Sequence, residues 1–166
     1  MYQVNIVIDQ VIDAIATFFT PFAQGAQIVR GNVNRVPMPG SPVIYLTELF
    51  SDDLSVPYIQ FDADAELNNL NSSLKLDVQV DFYGEIAAEL CHAFRAAWRS
   101  PYSFDNFPEN IKPLYCSQAM QHPLITGEKQ YLNRFTTTAV LQYNTIIQLP
   151  QESALEVVPN LIQADK

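Results

Sequence analysis

Apolar residues near the start of the chain recur every three or four positions, which is the period of an α-helix packed through one face. The residues that share this face are Ile6, Val7, Val11, Ile12, Ile15, Phe18 and Phe19. The pattern predicts a helix from about Asn5 to Thr20, because Pro21 disfavours helical backbone in the residue before it. A loop follows, since the stretch NRVPMPGSP holds three prolines and a glycine.

Strict alternation of apolar and polar residues marks the clearest strand, SLKLDVQVDFYG. One side carries Leu74, Leu76, Val78, Val80 and Phe82, and the other carries Lys75, Asp77, Gln79, Asp81 and Tyr83. Alternation of this kind predicts one buried and one polar face. β-Branched and aromatic residues predict two earlier strands, at residues 43–50 and 56–64. A last long strand is predicted at 129–143, where neither side is purely apolar.

A second helix is predicted in EIAAELCHAFRAAWRS, which ends before Pro101. Its apolar stripe consists of Ile86, Leu90, Phe94, Ala97 and Trp98. Residues 101–125 are rich in aromatic residues and proline, which predicts a long ordered loop or short helical turns. The element order predicts an α+β fold, with a mainly antiparallel sheet and helices packed on one face. We expect a single domain over 1–150 and a C-terminal extension over 151–166.

The net charge of the chain bears on which classes of function are plausible. The formal net charge is −9, and residues 1–83 hold ten acidic and three basic residues, against eight and six in the rest. Such a chain is a poor candidate for gripping nucleic acid, although it could surround a nucleic acid without holding it. No stretch is apolar enough to span a membrane. We interpret Cys91 and Cys116 as free thiols of a reducing compartment.

The segment TGEKQYLNRF, which starts at Thr126, resembles a phosphate-binding loop only superficially. That loop needs a second glycine and a Ser or Thr after the lysine, followed by a helix. Here a single glycine precedes a predicted strand. The segment is therefore predicted to be a turn that enters a strand.

Cysteine, histidine and acidic residues suggest no catalytic or metal site. Cys91-His92 and Cys116 with His122 lack the paired spacing of zinc ligands, and nothing local marks a nucleophile and base. Asp77 and Asp81 are about 13 Å apart on a strand, so we expect a solvated acidic face. The group Asp62, Asp64 and Glu66 lacks the pattern of a calcium loop and also predicts a solvated surface. We predict no catalytic residue, metal or cofactor.

Aromatic rings in the irregular segment and apolar residues after Pro150 are candidates for an interface. The segment holds Tyr102, Phe104, Phe107 and Tyr115, which pack either against a partner or over the home core. The extension holds Leu155, Val157, Val158, Leu161 and Ile162 without an evident place in the core. We expect Leu155, Val157 and Leu161 to contact a neighbouring subunit.

Four segments, in order and over roughly residues 34–151, carry a resemblance to a known family. They are NRVPMPGSPVIYLTEL, LDVQVDFYGEIAAELCHAFRAAW, PLYCSQAMQHPLITGEKQYLNRFTTTAVLQYN and the LPQ that follows. None is a catalytic signature, and the specificity lies in the set. The chain resembles the bacteriophage neck terminator proteins, a family of tail terminator and head–tail joining proteins.

The resemblance implies a structural protein of the virion neck, assembled in the host cytoplasm, in a phage with a contractile tail. It implies a homo-oligomer, a hexameric ring that caps the tail tube, ends its polymerisation and joins it to the head–tail connector or collar protein. A sheath protein is a further partner, and DNA passes through the lumen without specific binding. With the acidic charge, this suggests that Asp77 and Asp81, or the loop with Asp62, Asp64 and Glu66, face the channel.

Three alternatives stay open on the sequence. A head-completion or connector-adaptor protein of the neck belongs to the same structural class. A small hydrolase would use Cys91, His92 or His122. A binding module for a small ligand would need an apolar pocket with a few convergent polar groups, which a sequence does not show.

Overall fold

A large, mostly antiparallel sheet forms the centre of the protein, as seen in a computed structural model that describes residues 3–5, 8–31, 40–122, 124–125 and 131–151. The helices are α1 (Ile8–Phe19), α2 (Ala87–Trp98) and α3 (Pro101–Asn106), and a 3-10 turn spans Thr20–Phe22. The strands are β1 (Gln3–Asn5), β2 (Gln27–Arg30), β3 (Val43–Asp53), β4 (Tyr58–Asp62), β5 (Leu67–Tyr83), β6 (Ile111–Cys116), β7 (Met120–Gln121), β8 (Leu124–Ile125), β9 (Tyr131–Leu132) and β10 (Arg134–Pro150). The predicted α+β class with a mainly antiparallel sheet is confirmed.

Two strands of 17 residues each form the axis of the sheet. β5 and β10 pair antiparallel over their full length, with Leu67 opposite Pro150 and Tyr83 opposite Arg134. Each is about 56 Å long, well beyond the usual strand. β3 and β4 pair with the free edge of β5, while β7, β6 and β1 follow one another along the free edge of β10.

The hydrophobic core lies between the helices and one end of this sheet. The apolar stripe of α1 and the stripe of α2 pack on the side of β5 that carries Leu76, Val78, Val80 and Phe82. These four side chains are at most 2% exposed, as the alternation predicts. Five aromatic rings join the helices to one another and to the sheet: Phe18, Phe19, Phe82, Phe94 and Trp98.

The long strands extend further than their sequence pattern predicts. β5 begins at Leu67 rather than Ser73, and β10 ends at Pro150 rather than Tyr143. The additional residues are mostly Asn, Ser, Thr and Gln beside Ile and Leu, and they do not alternate cleanly. They are strands because each extension pairs with the other, which is a contact between residues about 80 positions apart.

Other boundaries also differ from the prediction. α1 begins at Ile8, and a short strand, β1, precedes it. β2 was not predicted, and it runs parallel to β3. Residues 101–125 contain α3 and three short strands, so the prediction of a loop or helical turns is wrong for β6. No helix within the described ranges is both long and apolar enough to cross a membrane.

Candidate assembly surfaces

The sheet continues well past the helices as a projecting arm. We define the arm as β4, residues 67–73 of β5 and residues 144–150 of β10. Every residue of β4 is exposed, and residues 67–73 are half-buried. Core residues of β5 begin only at Leu76. The seven arm residues of each long strand span about 23 Å. Among the described residues, β1 pairs with residues 146–148 along one edge of the arm, and Thr145 is its one buried residue.

One side of the arm is apolar. Cross-strand pairing places Ile59, Leu70 and Ile147 in one row, and Phe61, Asn68 and Leu149 in another. These residues lie on the helix side of the sheet, because side chains two apart on β5 share a face and Leu70 has the parity of Leu76. Ile59 is 64% exposed and Phe61 is 43% exposed. We call Ile59, Phe61, Leu70, Ile147 and Leu149 the apolar arm face.

The outer edge of β4 adds backbone groups to this surface. β4 pairs with β5 along one edge, and within the described ranges no strand pairs with the other. Its sequence, YIQFD, combines aromatic and β-branched residues with a single charge. Isolated proteins protect such edges with lysine, proline or bulges, so an unprotected edge indicates a site for strand addition.

The opposite side of the arm is mostly polar and internally hydrogen-bonded, and it also carries Tyr58 and Ile146, which are 62% and 44% exposed. The Asn69 side chain accepts a hydrogen bond from Gln148 at 3.0 Å, and Ser73 Oγ donates to Asn144 Oδ1 at 2.8 Å. Gln142 donates to Ser73 at 2.7 Å. These amide and hydroxyl pairs hold the two long strands in register. The arm is thus an amphipathic sheet whose apolar side faces solvent in the subunit.

Acidic residues gather at the tip of the arm, in the turn between β4 and β5. Asp62 Oδ1 accepts hydrogen bonds from the backbone of Asp64 at 3.1 Å and Ala65 at 3.2 Å. Glu66 has a φ of 52°, which places it in the left-handed region. Asp62, Asp64 and Glu66 are exposed, in agreement with the predicted solvated surface.

Asp81 does not lie on a solvated acidic face. It is 4% exposed, and its carboxylate accepts hydrogen bonds from Arg134 at 3.1 Å, Thr136 at 2.5 Å and Gln79 at 2.7 Å. Arg134 also lies over the ring of Tyr83. The prediction of a solvated Asp81 is wrong, because β10 brings a guanidinium and a hydroxyl to it from more than fifty residues away.

We expect the substitution Asp81→Asn to lower the free energy of unfolding by about 2 kcal/mol, because it leaves the Arg134 guanidinium without its counter-ion. The loss stays below that of a fully buried pair, since the Arg134 side chain is 27% exposed. Urea denaturation followed by circular dichroism measures the change. Asp64→Asn removes the same charge from the exposed tip and should change stability by less than about 0.5 kcal/mol. Equal losses in both variants would contradict a specific role for the ion pair.

Asp77 is also buried, at 8% exposure, so the prediction of a solvated side chain is wrong for it too. The nearest cation is Lys75, whose Nζ lies 3.8 Å from Asp77 Oδ1. Within the described residues, this oxygen has no hydrogen-bond partner. Asp77 pairs in register with Phe50 on one side and with Val140 on the other.

The predicted aromatic interface residues divide into two groups. Phe107 is 5% exposed and packs against Phe18 and Trp98, so it belongs to the hydrophobic core of its own subunit. Tyr102 is 36% exposed and contacts the rings of Phe18 and Phe22 at the core margin. Phe104 and Tyr115 are 58% and 56% exposed. The other predicted interface residues, Leu155, Val157 and Leu161, lie outside the described residues. Residues 126–130 of the predicted turn also lie outside them.

The cysteines and histidines are not arranged as a nucleophile and its base. Burial raises the pKa of the Cys91 thiol to about 11, and burial also raises the pKa of Cys116. A nucleophilic cysteine needs the opposite shift, toward the thiolate. His92 and His122 are exposed. In the part of the chain that the structure describes, no three His, Cys, Asp or Glu side chains converge as metal ligands.

Exposed apolar side chains gathered on one sheet surface, such as Ile59 and Phe61, are typical of a protein that binds other proteins. The model of one protein family, described as phage neck terminator protein, matches residues 9–165, which is nearly the whole chain. The chain therefore belongs to the phage neck terminator family, a family of structural proteins of the virion. No curated protein matches the chain.

Proposed function

We propose that this protein is the tail terminator of its phage, which caps the tail tube, stops its polymerisation and joins it to the head connector. The observation that carries the proposal is the family match over residues 9–165. The uncovered arm supports it, because an exposed apolar sheet in an isolated subunit requires a partner in the assembled particle. A neck protein has such partners in its own copies and in the virion proteins on either side.

The assembly that we propose is a hexameric ring around the DNA channel, in a phage with a contractile tail. A ring needs two different surfaces on each subunit, one of which binds the other on the next copy. The exposed apolar side chains of the described residues include Ile59 and Phe61 of the apolar arm face and, apart from them, Phe104 and Tyr115. We assign the apolar arm face to one of the two ring surfaces between copies, and Phe104 and Tyr115 to contacts with the tail tube, connector or sheath protein.

The channel wall is the proposed location of the acidic tip. Asp62, Asp64 and Glu66 are exposed, and negative charge around the passage prevents DNA from binding to the wall. Asp77 and Asp81 do not belong to this proposal. Asp81 is neutralised by Arg134 and Asp77 is buried, so neither contributes the free charge that the argument requires.

Electron microscopy of particles made when this gene is disrupted tests the proposal. We expect unjoined, DNA-filled heads together with tails of uncontrolled length, because nothing stops the growth of the tube. Finished tails of normal length beside unjoined heads would instead assign the protein to the head side of the neck, as a connector adaptor. Intact, joined virions would overturn a role in the neck.

Complementation supplies the control for this experiment. The unaltered gene, provided in trans, should restore joined virions. The double variant Cys91→Ser and His92→Ala should restore them as well if the protein is structural, whereas failure of a folded double variant would favour the hydrolase interpretation. Because Cys91 is fully buried, folding of this variant must be verified by circular dichroism.

A further inference from the structure

The chain leaves the described structure at the tip of the arm. β10 runs away from the helix layer, and its last paired residue, Pro150, lies opposite Leu67. The backbone N–H of Gln151 then donates to the Glu66 carbonyl at 2.9 Å, and its side chain accepts a hydrogen bond from Asn68. These two contacts fix the position of Gln151 beside the tip of the arm.

The residues that follow Gln151 include several apolar ones. They include Leu155, Val157, Val158, Leu161 and Ile162. The core beneath the helices is already filled by side chains between Val11 and Tyr143. The family match continues to residue 165, so this segment is part of what the family has in common.

We infer that the part of residues 152–166 before Pro159 adds as a strand along the outer edge of β4 of a neighbouring copy, with Leu155 and Val157 beside Ile59 and Phe61 of the apolar arm face. The inference rests on the proposed function, because it needs neighbouring copies in a ring. A fully extended chain of 15 residues reaches up to about 50 Å, which is enough to cross between adjacent subunits.

The pattern of the segment fits this site. Leu155 and Val157 are two residues apart, so in an extended chain they share one side, as Ile59 and Phe61 do on β4. Glu156 then lies on the opposite side with Gln60, toward solvent. Backbone hydrogen bonds to the free edge of β4 would provide binding, and the paired apolar side chains would determine the register.

A neighbouring copy fits better than the same copy as the location of this site. At Gln151 the chain has reached the tip of the arm, and the apolar arm face of the same copy lies back along β10, toward the helices. A return would need a tight reversal directly after the strand. Residues 151–154 read Gln-Glu-Ser-Ala, in which Ser153 is the one residue that turns favour.

Disulfide formation between two marked copies tests the inference. The disrupted phage is complemented with two differently tagged genes, one carrying Ile59→Cys and the other Val157→Cys, and purified virions are oxidised. We expect a covalent heterodimer. A second pair, Phe61→Cys with Leu155→Cys, covers a shifted register. Ile59 is 64% exposed, so its replacement leaves the fold intact, and the native thiols are buried.

The matched control moves the arm cysteine by one residue. Tyr58 is 62% exposed and sits beside Ile59 on the same strand. Its side chain is on the opposite face, so Tyr58→Cys should give about tenfold less heterodimer. Equal yields from Tyr58→Cys and Ile59→Cys would show random collision and would overturn the inference.

The outcomes separate the two proposals. A ring in the virion without heterodimer from either pair overturns the inference and leaves the terminator function standing. A single gene can also carry both cysteines. A disulfide within one chain, with none between copies, would overturn the inference and place the segment on the arm of its own copy. Virions that lack the protein altogether contradict the proposed function, and with it the inference.

Discussion

The substitution Ile59→Glu should abolish neck assembly while the subunit stays folded. Ile59 is 64% exposed, so a carboxylate there costs the isolated chain little. In an assembled interface the same carboxylate would be buried among Leu70 and Ile147 without a partner. The cost is at least about 3 kcal/mol per contact, so we expect at least a hundredfold lower yield of infectious particles in complementation.

Gln60→Glu is the matched control for this substitution. It adds the same charge one residue further along the same strand, but on the polar side of the arm. We expect near-normal particle yield and, for both variants, a free energy of unfolding within about 0.5 kcal/mol of the unaltered protein. Normal yield with Ile59→Glu would show that the apolar arm face is not an assembly surface. Equal failure of both variants would point to charge on the arm rather than to its apolar side.

Phe18→Ala should cause the largest loss of stability among the substitutions that we propose. Phe18 is 1% exposed, and its ring centroid lies within 6.3 Å of Phe94, Trp98, Tyr102 and Phe107. Removing it leaves a cavity where α1 meets α2, at a cost of about 3–5 kcal/mol. That loss is a large part of the total free energy of unfolding of a domain of this size.

Tryptophan fluorescence in urea measures this loss directly. The chain has one tryptophan, Trp98, whose ring is 5.7 Å from that of Phe18 and reports on the same region. Phe104→Ala deletes the same side chain from an exposed position in α3 and should cost less than about 0.5 kcal/mol. A comparable loss from Phe104→Ala would mean that α3 is part of the core, contrary to its exposure.

Local periodicity was sufficient wherever one face of an element is buried by the helix layer. The stripe of α1 and the even positions from Leu76 to Phe82 are predicted correctly, because burial on one side leaves a regular spacing in the sequence. The same reasoning gave the α+β class. It failed at residues 67–73, which are all half-buried, so no regular spacing of buried and exposed positions is imposed.

The charged residues show a second limit of reasoning from local sequence. Asp77, Gln79 and Asp81 alternate with apolar residues, which indicates a polar face but does not indicate what that face contacts. The burial of Asp81 depends on Arg134 and Thr136, which come from a strand more than fifty residues later. The burial of Phe107 was also not evident from the local sequence. It depends on the packing of two helices, which places Phe107 between Phe18 and Trp98.

The sequence by itself determined the family, the class of fold, the buried faces of both long helices and the core half of β5. These features depend on the order of the segments along the chain and on the local spacing of apolar residues, and both can be read directly from the sequence. Only the tertiary structure decided that β5 and β10 pair over 17 residues, that the arm continues past the core residues of β5, and that Ile59 and Phe61 on its apolar side are exposed. Pairing and exposure are relations between distant residues, so they exist only once the chain has folded.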